Sequence, residues 1–179
     1  MAQSDYLVMQ KIIKITIILV FLFVIGIFYI SLTRDTNYNT SSLINVETPE
    51  FKIISFDESS TYTRDDLKKN NYTLINFWAS WCAPCKTEHS ILMKLSQKKN
   101  LMMLGINFKD KNIQAKKFLS ELGNPYDLLA KDKNGKQSVR FGIYGIPESV
   151  LINKNLTIIQ KFVGPLSIDD YNAIVKIIE

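Results

Sequence analysis

The two cysteines of the chain, Cys82 and Cys85, are the residues whose type and spacing best suit chemistry. They form a Cys-x-x-Cys motif between an apolar run, Tyr72–Trp78, and a predicted helix that begins near Pro84. A thiol at a helix N-terminus faces unpaired N–H groups and the positive end of the helix dipole, which favour its thiolate. Because thiolates attack disulfides, the motif predicts a redox-active pair. We expect Cys82 to be the exposed nucleophile and Cys85 to be the resolving thiol, one turn further in.

Three other uses of a Cys-x-x-Cys motif fit this sequence less well. A structural zinc site wants about four Cys or His ligands, and the chain has only these two cysteines and His89. A covalent haem site would need histidine directly after the second cysteine, where this chain has Lys86. A purely structural disulfide would close a very small loop and stabilise the fold little. We therefore expect no metal and no other cofactor.

The soluble part of the sequence alternates predicted strands and helices. The domain opens with an apolar run, Phe51–Ser55, and a short helix that ends at Lys69. Strands are then expected at Tyr72–Trp78, Leu101–Asn107, Tyr126–Ala130, Ser149–Ile152 and Ile158–Phe162. Helices are expected at Pro84–Lys98, at Asn112–Leu122, in a short segment before Tyr144 and in a C-terminal segment capped by Ser167. Early β-α-β units imply parallel strands, and the turn at Lys154-Asn155 implies an antiparallel hairpin. The sequence therefore predicts an α/β domain with a mixed parallel/antiparallel sheet flanked by helices.

The order of these elements around the motif resembles the thioredoxin fold. Trp81 precedes the cysteine pair, and Gly145-Ile146-Pro147 stands much later, before a strand. By that resemblance Pro147 is a cis-proline that lies against the cysteines, and the backbone of Ile146 pairs with an extended substrate segment. We also expect Trp81 to pack beside Cys82, to shield it and to share in substrate contact.

Four blocks of sequence resemble the membrane-anchored reductases of cytochrome c maturation, the CcmG/DsbE group. In order, the blocks are Asn76-Phe-Trp-Ala-Ser-Trp-Cys-Ala-Pro-Cys-Lys-Thr-Glu-His89, Gly105-Ile-Asn-Phe-Lys-Asp110, Glu121-Leu-Gly-Asn-Pro-Tyr126 and Gly142-Ile-Tyr-Gly-Ile-Pro-Glu-Ser149. The resemblance implies a thiol-disulfide oxidoreductase that reduces the cysteine pair of apocytochrome c, or of a partner that handles it, before haem attaches. Electrons would come from a membrane thiol transporter. The alternatives are a general extracytoplasmic reductase for other envelope proteins and an apocytochrome-binding chaperone without redox turnover.

Two glutamates are candidate proton acceptors for Cys85. Asn76 stands where ordinary thioredoxins carry a buried aspartate that accepts this proton, and an amide cannot accept it at working pH. Glu88 follows Cys85 by three residues on the same helix face, and Glu148 directly follows Pro147. We expect one or both to keep the buried thiol protonated and to shuttle its proton. The alternative is that each is a surface carboxylate.

Three side chains near the motif have structural interpretations. His89, the only histidine, is expected on the helix surface rather than in a metal or catalytic site. Trp78 is expected in the core. Lys86 is near enough to favour the thiolate modestly, or is merely solvated.

An uncharged apolar segment, Ile15–Ile30, lies near the N-terminus. With its flanks it matches the ~30 Å hydrocarbon core of a membrane. The alternative is a cleaved secretory signal, whose apolar region is usually only about 7–15 residues long. The exit from this segment, Tyr29-Ile30-Ser31-Leu32-Thr33-Arg34, is a poor cleavage site. We therefore expect an uncleaved, single-pass anchor.

The charges on either side of the anchor predict its orientation. Lys11 and Lys14 lie at its N-terminal end, whereas Arg34 follows it next to an aspartate. The positive-inside rule places the N-terminus in the cytoplasm and the soluble domain outside. Together with the resemblance to the CcmG/DsbE group, this implies the periplasmic side of a bacterial inner membrane. The predicted organisation is a cytoplasmic N-terminus at residues 1–11, an anchor at 12–32, a flexible tether at 33–48 and a thioredoxin-like domain at 49–179.

The charge of the chain does not indicate nucleic-acid binding. The net charge is +5, but only Arg34, Arg64 and Arg140 among the 22 cationic residues are arginines. Recognition of phosphates and base edges relies on the planar fork of arginine, and the lysines here are dispersed along the sequence. We expect a solvated lysine-rich surface and no nucleic-acid partner.

Overall fold

The structure is a computed structural model that describes residues 2–33 and 43–179. It divides into two units. The first is one helix, α1 (Ala2–Thr33), within which Val8–Leu32 is long and apolar enough to cross a membrane. The expected N-terminal apolar helix is therefore present. The predicted tether lies partly outside the described residues, because 34–42 belong to neither range.

The second unit is built on a seven-stranded sheet. Its elements are β1 (Lys52–Ser55), β2 (Thr61–Thr63), a 3-10 helix (Arg64–Lys69), β3 (Tyr72–Trp78), α2 (Ala83–Leu95), β4 (Leu101–Phe108), α3 (Asn112–Leu122), β5 (Leu128–Asp132), α4 (Lys136–Arg140), β6 (Glu148–Asn153), β7 (Ile158–Val163) and α5 (Ile168–Ile178). The strand order is β2-β1-β5-β4-β3-β6-β7. Neighbours β3, β4 and β5 are parallel, and the other neighbouring pairs are antiparallel. The mixed sheet predicted from the sequence is confirmed.

Strand β3 is the central strand that positions the cysteine motif. It pairs with β4 in parallel and with β6 in antiparallel orientation, and all its residues after the first are buried. Its β-branched and aromatic side chains suit a strand covered on both faces. Leu74 and Trp78 face one hydrophobic core, whereas Ile75 and Phe77 face another. The loop that follows β3 ends at Cys82, directly before α2.

Two hydrophobic cores lie on opposite faces of the sheet. The first core receives side chains from α2, α3 and α5, including both cysteines, Leu92, Phe118 and Ile174. The second core receives side chains from the 3-10 helix and the segment after α4, including Leu67, Phe141, Val150 and Ile158. The cysteine pair therefore belongs to the α2 side of the sheet.

The third predicted strand is displaced along the chain. The sequence predicts Tyr126–Ala130, whereas β5 begins at Leu128 and ends at Asp132. The N–H of Tyr126 instead donates to Oδ1 of Asn124 at 3.1 Å, in a turn that contains Pro125. This turn sends the ring of Tyr126 into the first core. The turn at Asn124–Tyr126 therefore occupies the first part of the predicted strand, and β5 begins after it.

The folded unit begins earlier than the predicted boundary at residue 49. The N–H of Asn45 donates to the carbonyl oxygen of Ile158 at 2.8 Å, and that of Thr48 donates to Leu156 at 2.7 Å. In return, the N–H of Ile158 donates to the carbonyl of Val46 at 2.9 Å. The last residues of the predicted tether therefore pair with the hairpin between β6 and β7.

Candidate active site

Cys82 and Cys85 form a disulfide at the N-terminus of α2, with their Cα atoms 5.3 Å apart. Cys82 is the N-cap residue, and its Sγ accepts the backbone N–H of Cys85 at 3.2 Å. Pro84 occupies the first turn, where a helix needs no donor from its backbone nitrogen. The N-terminal N–H groups and the helix dipole thus favour negative charge on the sulfur of Cys82.

The disulfide is less exposed than the sequence predicts. Cys82 is 5% exposed and Cys85 is 2% exposed. Sγ of Cys82 lies 3.6 Å from the carbonyl oxygen of Ile146. Because a disulfide sulfur carries no proton, this contact becomes a hydrogen bond only when Cys82 is a thiol. The expectation of an exposed Cys82 sulfur is corrected, since the Ile146 segment packs against it in the oxidised form.

The segment that faces the disulfide contains a cis peptide bond between Ile146 and Pro147. Pro147 is buried, and the half-buried side chain of Ile146 packs against both cores. The carbonyl of Pro147 accepts the N–H of Gly164 at 3.0 Å, which ties the segment to the end of β7. Among the described residues, the N–H of Ile146 has no hydrogen-bond partner. A backbone donor therefore remains available beside the disulfide.

Trp81 lies at the surface next to Cys82. Its indole is 60% exposed, and the indole N–H donates to the carbonyl oxygen of Lys109 at 3.2 Å. The ring therefore presents an aromatic surface to solvent, and its expected shielding of Cys82 stays a prediction. An exposed, fixed aromatic side chain suits contact with a partner protein.

Asp110 holds the loop that precedes the motif, a role that the sequence reasoning did not assign. Its Oδ2 accepts the N–H of Ser80 at 2.6 Å and Nδ2 of Asn107 at 3.0 Å. Its Oδ1 accepts Oγ of Ser80 at 2.8 Å and the N–H of Lys111 at 2.7 Å. The sequence contained a signal for this role, namely an acidic residue just after β4. Because the parallel strands β3 and β4 end at the same edge of the sheet, such a residue lies close to the loop that follows β3.

Glu88 lies on the first-core side of the sheet and is 1% exposed. Its Oε1 accepts Nδ2 of Asn76 at 2.9 Å, and its Oε2 accepts the N–H of Leu166 at 2.8 Å. Burial raises the pKa of Glu88 to about 7, and these two hydrogen bonds oppose the rise only in part. Glu88 and Cys85 are both buried on the same face of α2. A carboxyl group with this pKa can gain or lose a proton near neutral pH.

Glu148 is also buried, with 2% of its surface exposed. Its Oε1 accepts the N–H groups of Tyr144 and Gly145, each at 3.0 Å. Its Oε2 lies 2.9 Å from Nζ of Lys161, whose side chain is buried as well. Glu148 therefore anchors the loop that leads to the cis peptide bond.

The two glutamates lie on opposite faces of the sheet. Ser149 meets Asn76 on the Glu88 side, where Nδ2 of Asn76 donates to Oγ of Ser149 at 3.0 Å. Neighbouring residues in a strand point to opposite faces, so Glu148 points toward the second core. The structure brings Glu88 to the same side as Cys85 and does not bring Glu148 there. Neither glutamate is a surface carboxylate.

His89 is buried, with 4% of its surface exposed, so the predicted surface position is wrong. Its Nε2 lies 3.0 Å from the carbonyl oxygen of Gly123, and its ring meets Phe118 edge-on at 5.2 Å. Burial lowers the pKa of His89. The C-terminal end of α3 covers this side of α2, which α2 alone could not indicate. The structure confirms Trp78 in the core and leaves Lys86 exposed.

In the described part of the chain, no three His, Cys, Asp or Glu side chains come together so as to hold a metal ion. The chemistry offered by this site is thiol chemistry. A Cys-x-x-Cys disulfide at a helix N-terminus, on a thioredoxin-like sheet, defines the class of thiol:disulfide oxidoreductases.

Comparison with known proteins assigns the family. Residues 45–175 match the family model described as Redoxin. The thiol:disulfide interchange protein DsbE of Pseudomonas fluorescens biotype C is 35% identical over 156 residues, which cover 87% of this chain and 86% of that protein. CycY of Rhizobium leguminosarum bv. viciae, also a thiol:disulfide interchange protein, is 47% identical over 101 residues, covering 56% of this chain and 54% of that protein.

A solved structure supports the same fold. The thioredoxin-family thiol:disulfide interchange protein of Chlorobium tepidum TLS superposes with a TM-score of 0.63 at 23% identity, over 75% of this chain and 96% of that chain. The chain belongs to the redoxin family of thioredoxin-like proteins, in the group of thiol:disulfide interchange proteins that includes DsbE.

Proposed function

We propose that this chain reduces the cysteine pair of apocytochrome c, or of a partner that handles it, before haem attaches. The observation that carries the proposal is the Cys82–Cys85 disulfide at the start of α2, with Sγ of Cys82 3.6 Å from the carbonyl of Ile146. The four blocks that resemble reductases of cytochrome c maturation supply the substrate class. Two relatives named as thiol:disulfide interchange proteins support the reaction type.

The first chemical step belongs to Cys82. In the reduced protein its thiolate attacks one sulfur of the substrate disulfide and forms a mixed disulfide. The other substrate sulfur leaves as a thiolate and takes up a proton. The N–H of Cys85, which lies 3.2 Å from Sγ of Cys82 in the oxidised form, stabilises negative charge on the attacking sulfur. This donor makes Cys82 the nucleophile of the pair.

The second step belongs to Cys85, with Glu88 as its proton acceptor. The Cys85 thiol gives its proton to the Glu88 carboxylate, and its sulfur attacks the sulfur of Cys82 in the mixed disulfide. The second substrate sulfur leaves as a thiolate and is protonated, and the Cys82–Cys85 disulfide forms. Two electrons pass from the enzyme dithiol to the substrate disulfide. A Glu88 pKa of about 7 suits this role near neutral pH.

The substrate segment would bind along the cis-proline loop. The free N–H of Ile146 and its carbonyl oxygen can pair with an extended backbone, a form of strand addition. The exposed indole of Trp81 contacts the same segment on the other side of Cys82, and Pro147 sets the direction of the loop. Glu148 stabilises this loop by accepting hydrogen bonds from the N–H groups of Tyr144 and Gly145. Its role as a proton acceptor stays a prediction.

The protein would act on the periplasmic side of a bacterial inner membrane. The apolar span Val8–Leu32 supports anchoring, and Lys11 and Lys14 at its N-terminal end support a cytoplasmic N-terminus. A disulfide formed in each turnover must be reduced again, which requires a dithiol donor such as a membrane thiol transporter. Tethering raises the local concentration of both partners.

Trapping of the mixed disulfide tests this function. Full-length Cys85→Ser is produced in bacterial cells, the thiols are quenched with acid, and covalent partners are identified by mass spectrometry. The expected partner is apocytochrome c or a protein that handles it, linked through Cys82. The Cys82→Ser/Cys85→Ser double variant is the matched control and should trap nothing.

The alternatives give different results in the same cells. Trapping of assorted envelope proteins without apocytochrome would indicate a general extracytoplasmic reductase. Full cytochrome c assembly in cells that carry only Cys82→Ser would indicate a chaperone without redox turnover. Either result would overturn the proposed substrate or the proposed reaction.

A further inference from the structure

A chain of hydrogen bonds links Glu88 to a buried tyrosine. The hydroxyl of Tyr126 donates to Oδ1 of Asn76 at 2.7 Å. Nδ2 of the same amide donates to Oε1 of Glu88 at 2.9 Å and to Oγ of Ser149 at 3.0 Å. All four residues are buried; Asn76 is 0% exposed and Tyr126 is 7% exposed. The Asn76 amide therefore connects Tyr126 to Glu88 inside the first core.

The amide of Asn76 affects Glu88 differently in its two orientations. In the observed one, its NH₂ group donates to Glu88, which favours the ionised carboxylate. If the Asn76 amide group were turned by 180°, it would present Oδ1 to Glu88. This orientation favours the protonated carboxyl group, which can donate a hydrogen bond to Oδ1. The Tyr126 hydroxyl donates to Oδ1 in the observed orientation. Without the Tyr126 hydroxyl, the buried Oδ1 of Asn76 would have no donor whenever the amide donates to an ionised Glu88.

The position of Tyr126 is fixed by its neighbours. Its ring stacks on Trp78 with 5.7 Å between the ring centroids and 22° between the planes. On another side it covers Gly105, where an added Cβ would lie 2.6 Å from ring carbons. The hydroxyl is therefore held in place by rigid packing, as a positioning group requires.

We propose that Tyr126 and Asn76 are positioning residues that set the proton affinity of Glu88 and thereby the rate at which Cys85 resolves the mixed disulfide. This inference rests on the proposed function, because it assumes that Glu88 accepts the Cys85 proton. Neither residue touches the reacting sulfurs in this scheme. Both act through the carboxylate.

The other groups around Glu88 leave this role to the amide. From α2 come Cys85 and His89, and the His89 ring is engaged with Gly123. From the loop before α5 comes the Leu166 N–H. In the described ranges no lysine, arginine or second carboxylate forms an ion pair or a hydrogen bond with Glu88. Burial and two hydrogen bonds thus determine its protonation.

The test follows the second step of the reaction alone. Reduced full-length protein in detergent micelles reacts with excess dithiobis(nitrobenzoate). Attack by Cys82 releases one thionitrobenzoate, and attack by Cys85 on the resulting mixed disulfide releases the second. The rate of the second release is measured from about pH 5 to pH 9, a range that brackets neutrality. Tyr126→Phe removes the hydroxyl and keeps the ring, and Tyr171→Phe is the matched control.

We expect the second phase to have a pH midpoint near neutrality that is lost in Glu88→Gln. Tyr126→Phe should raise this midpoint by about one pH unit, so that resolution is about tenfold slower below it. Tyr171→Phe should leave the midpoint unchanged. Asn76→Ala should raise the midpoint too, and Tyr126→Phe should add nothing in the Asn76→Ala background, because the link is already broken.

The outcomes separate the two proposals. If the midpoint is lost in Glu88→Gln but unchanged in Tyr126→Phe, the positioning role fails while the reductase mechanism stands. If Glu88→Gln changes nothing, both the proton-acceptor role and this inference fail. Should Tyr126→Phe not fold, NMR of the unmutated oxidised protein decides. The side-chain NH₂ resonances of Asn76 should then titrate together with the Glu88 carboxyl carbon, and an absence of common titration would overturn the inference.

Discussion

Glu88 and Glu148 lie on opposite faces of the central sheet, although both are almost completely buried. Glu148 has a buried cationic partner, Lys161, at 2.9 Å. Among the described residues, the donors to Glu88 are neutral, and its pKa is raised to about 7 because burial disfavours the carboxylate. Glu148, which is paired with a cation, stabilises the structure as a carboxylate. Glu88, which has no such cation among the described residues, can exchange a proton. The two residues should therefore respond differently to substitution.

We expect Glu88 to make folding stability depend on pH. Its pKa is about 7 in the folded protein and 4.5 ordinarily, so the folded state binds more protons between these values. The contribution of Glu88 to stability is then fully present below about pH 4.5 and is lost as the pH rises to about 7, by about 3 kcal/mol in total. Glu88→Gln should remove this fall. Urea unfolding of the oxidised full chain in micelles, at a series of pH values, measures it.

The comparison with the parent protein isolates the effect of Glu88. The pKa of His89 is lowered by burial, so its contribution has the opposite sign and is lost as the pH falls; it is present in both proteins. Glu121→Gln, at a side chain that is 60% exposed, is the matched control and should keep the parent slope. Equal slopes in Glu88→Gln and the parent would contradict the prediction.

The buried pair Glu148–Lys161 should show strong coupling in stability. Removing one partner leaves an unpaired buried charge, so Lys161→Met and Glu148→Gln should each cost about 3–5 kcal/mol. The double variant should cost clearly less than the sum of the two. Urea unfolding of the four proteins gives the coupling energy. Additive losses would show that the contact at 2.9 Å contributes nothing.

Glu148→Gln also tests the role that the sequence left open for Glu148. Because its side chain points toward the second core, the pH midpoint of the Cys85 step should stay at the parent value in this variant. A shifted midpoint would show that Glu148 also handles the proton.

The sequence predicted the elements that depend on local pattern. The bounds of β3, Tyr72–Trp78, and of α3, Asn112–Leu122, agree with the structure. It could not predict which face Glu148 occupies, because that depends on the register in which β6 pairs with β3. The burial of His89 was missed for a similar reason, since it depends on the packing of α3 against α2. Local sequence patterns therefore predict helices and strands, whereas the face that a side chain occupies depends on contacts between elements that are distant in sequence.

Gly105 should tolerate no side chain. A Cβ at this position would lie 2.6 Å from the ring carbons of Tyr126, which is held by Trp78 on another side. Gly105→Ala should therefore destabilise the oxidised protein by about 1–3 kcal/mol. Gly145→Ala is the control, because a Cβ there meets no atom within 4 Å. Thermal unfolding of both variants measures the difference, and equal melting temperatures would show that the Tyr126 ring moves away freely.

Asp110 should control the position of the loop that carries Trp81. Its two carboxylate oxygens accept four hydrogen bonds, two of them from Ser80. Asp110→Asn replaces one carboxylate oxygen by an NH₂ group, which would face the N–H or O–H groups that now donate to Asp110. This should lower the stability of the fold by about 1–3 kcal/mol. The freed loop should also change the fluorescence of Trp81 and slow the first phase of disulfide exchange at Cys82. Asp169→Asn, at an exposed position in the first turn of α5, should change neither. Loss of stability with unchanged Trp81 fluorescence and an unchanged first phase would limit Asp110 to a purely structural role.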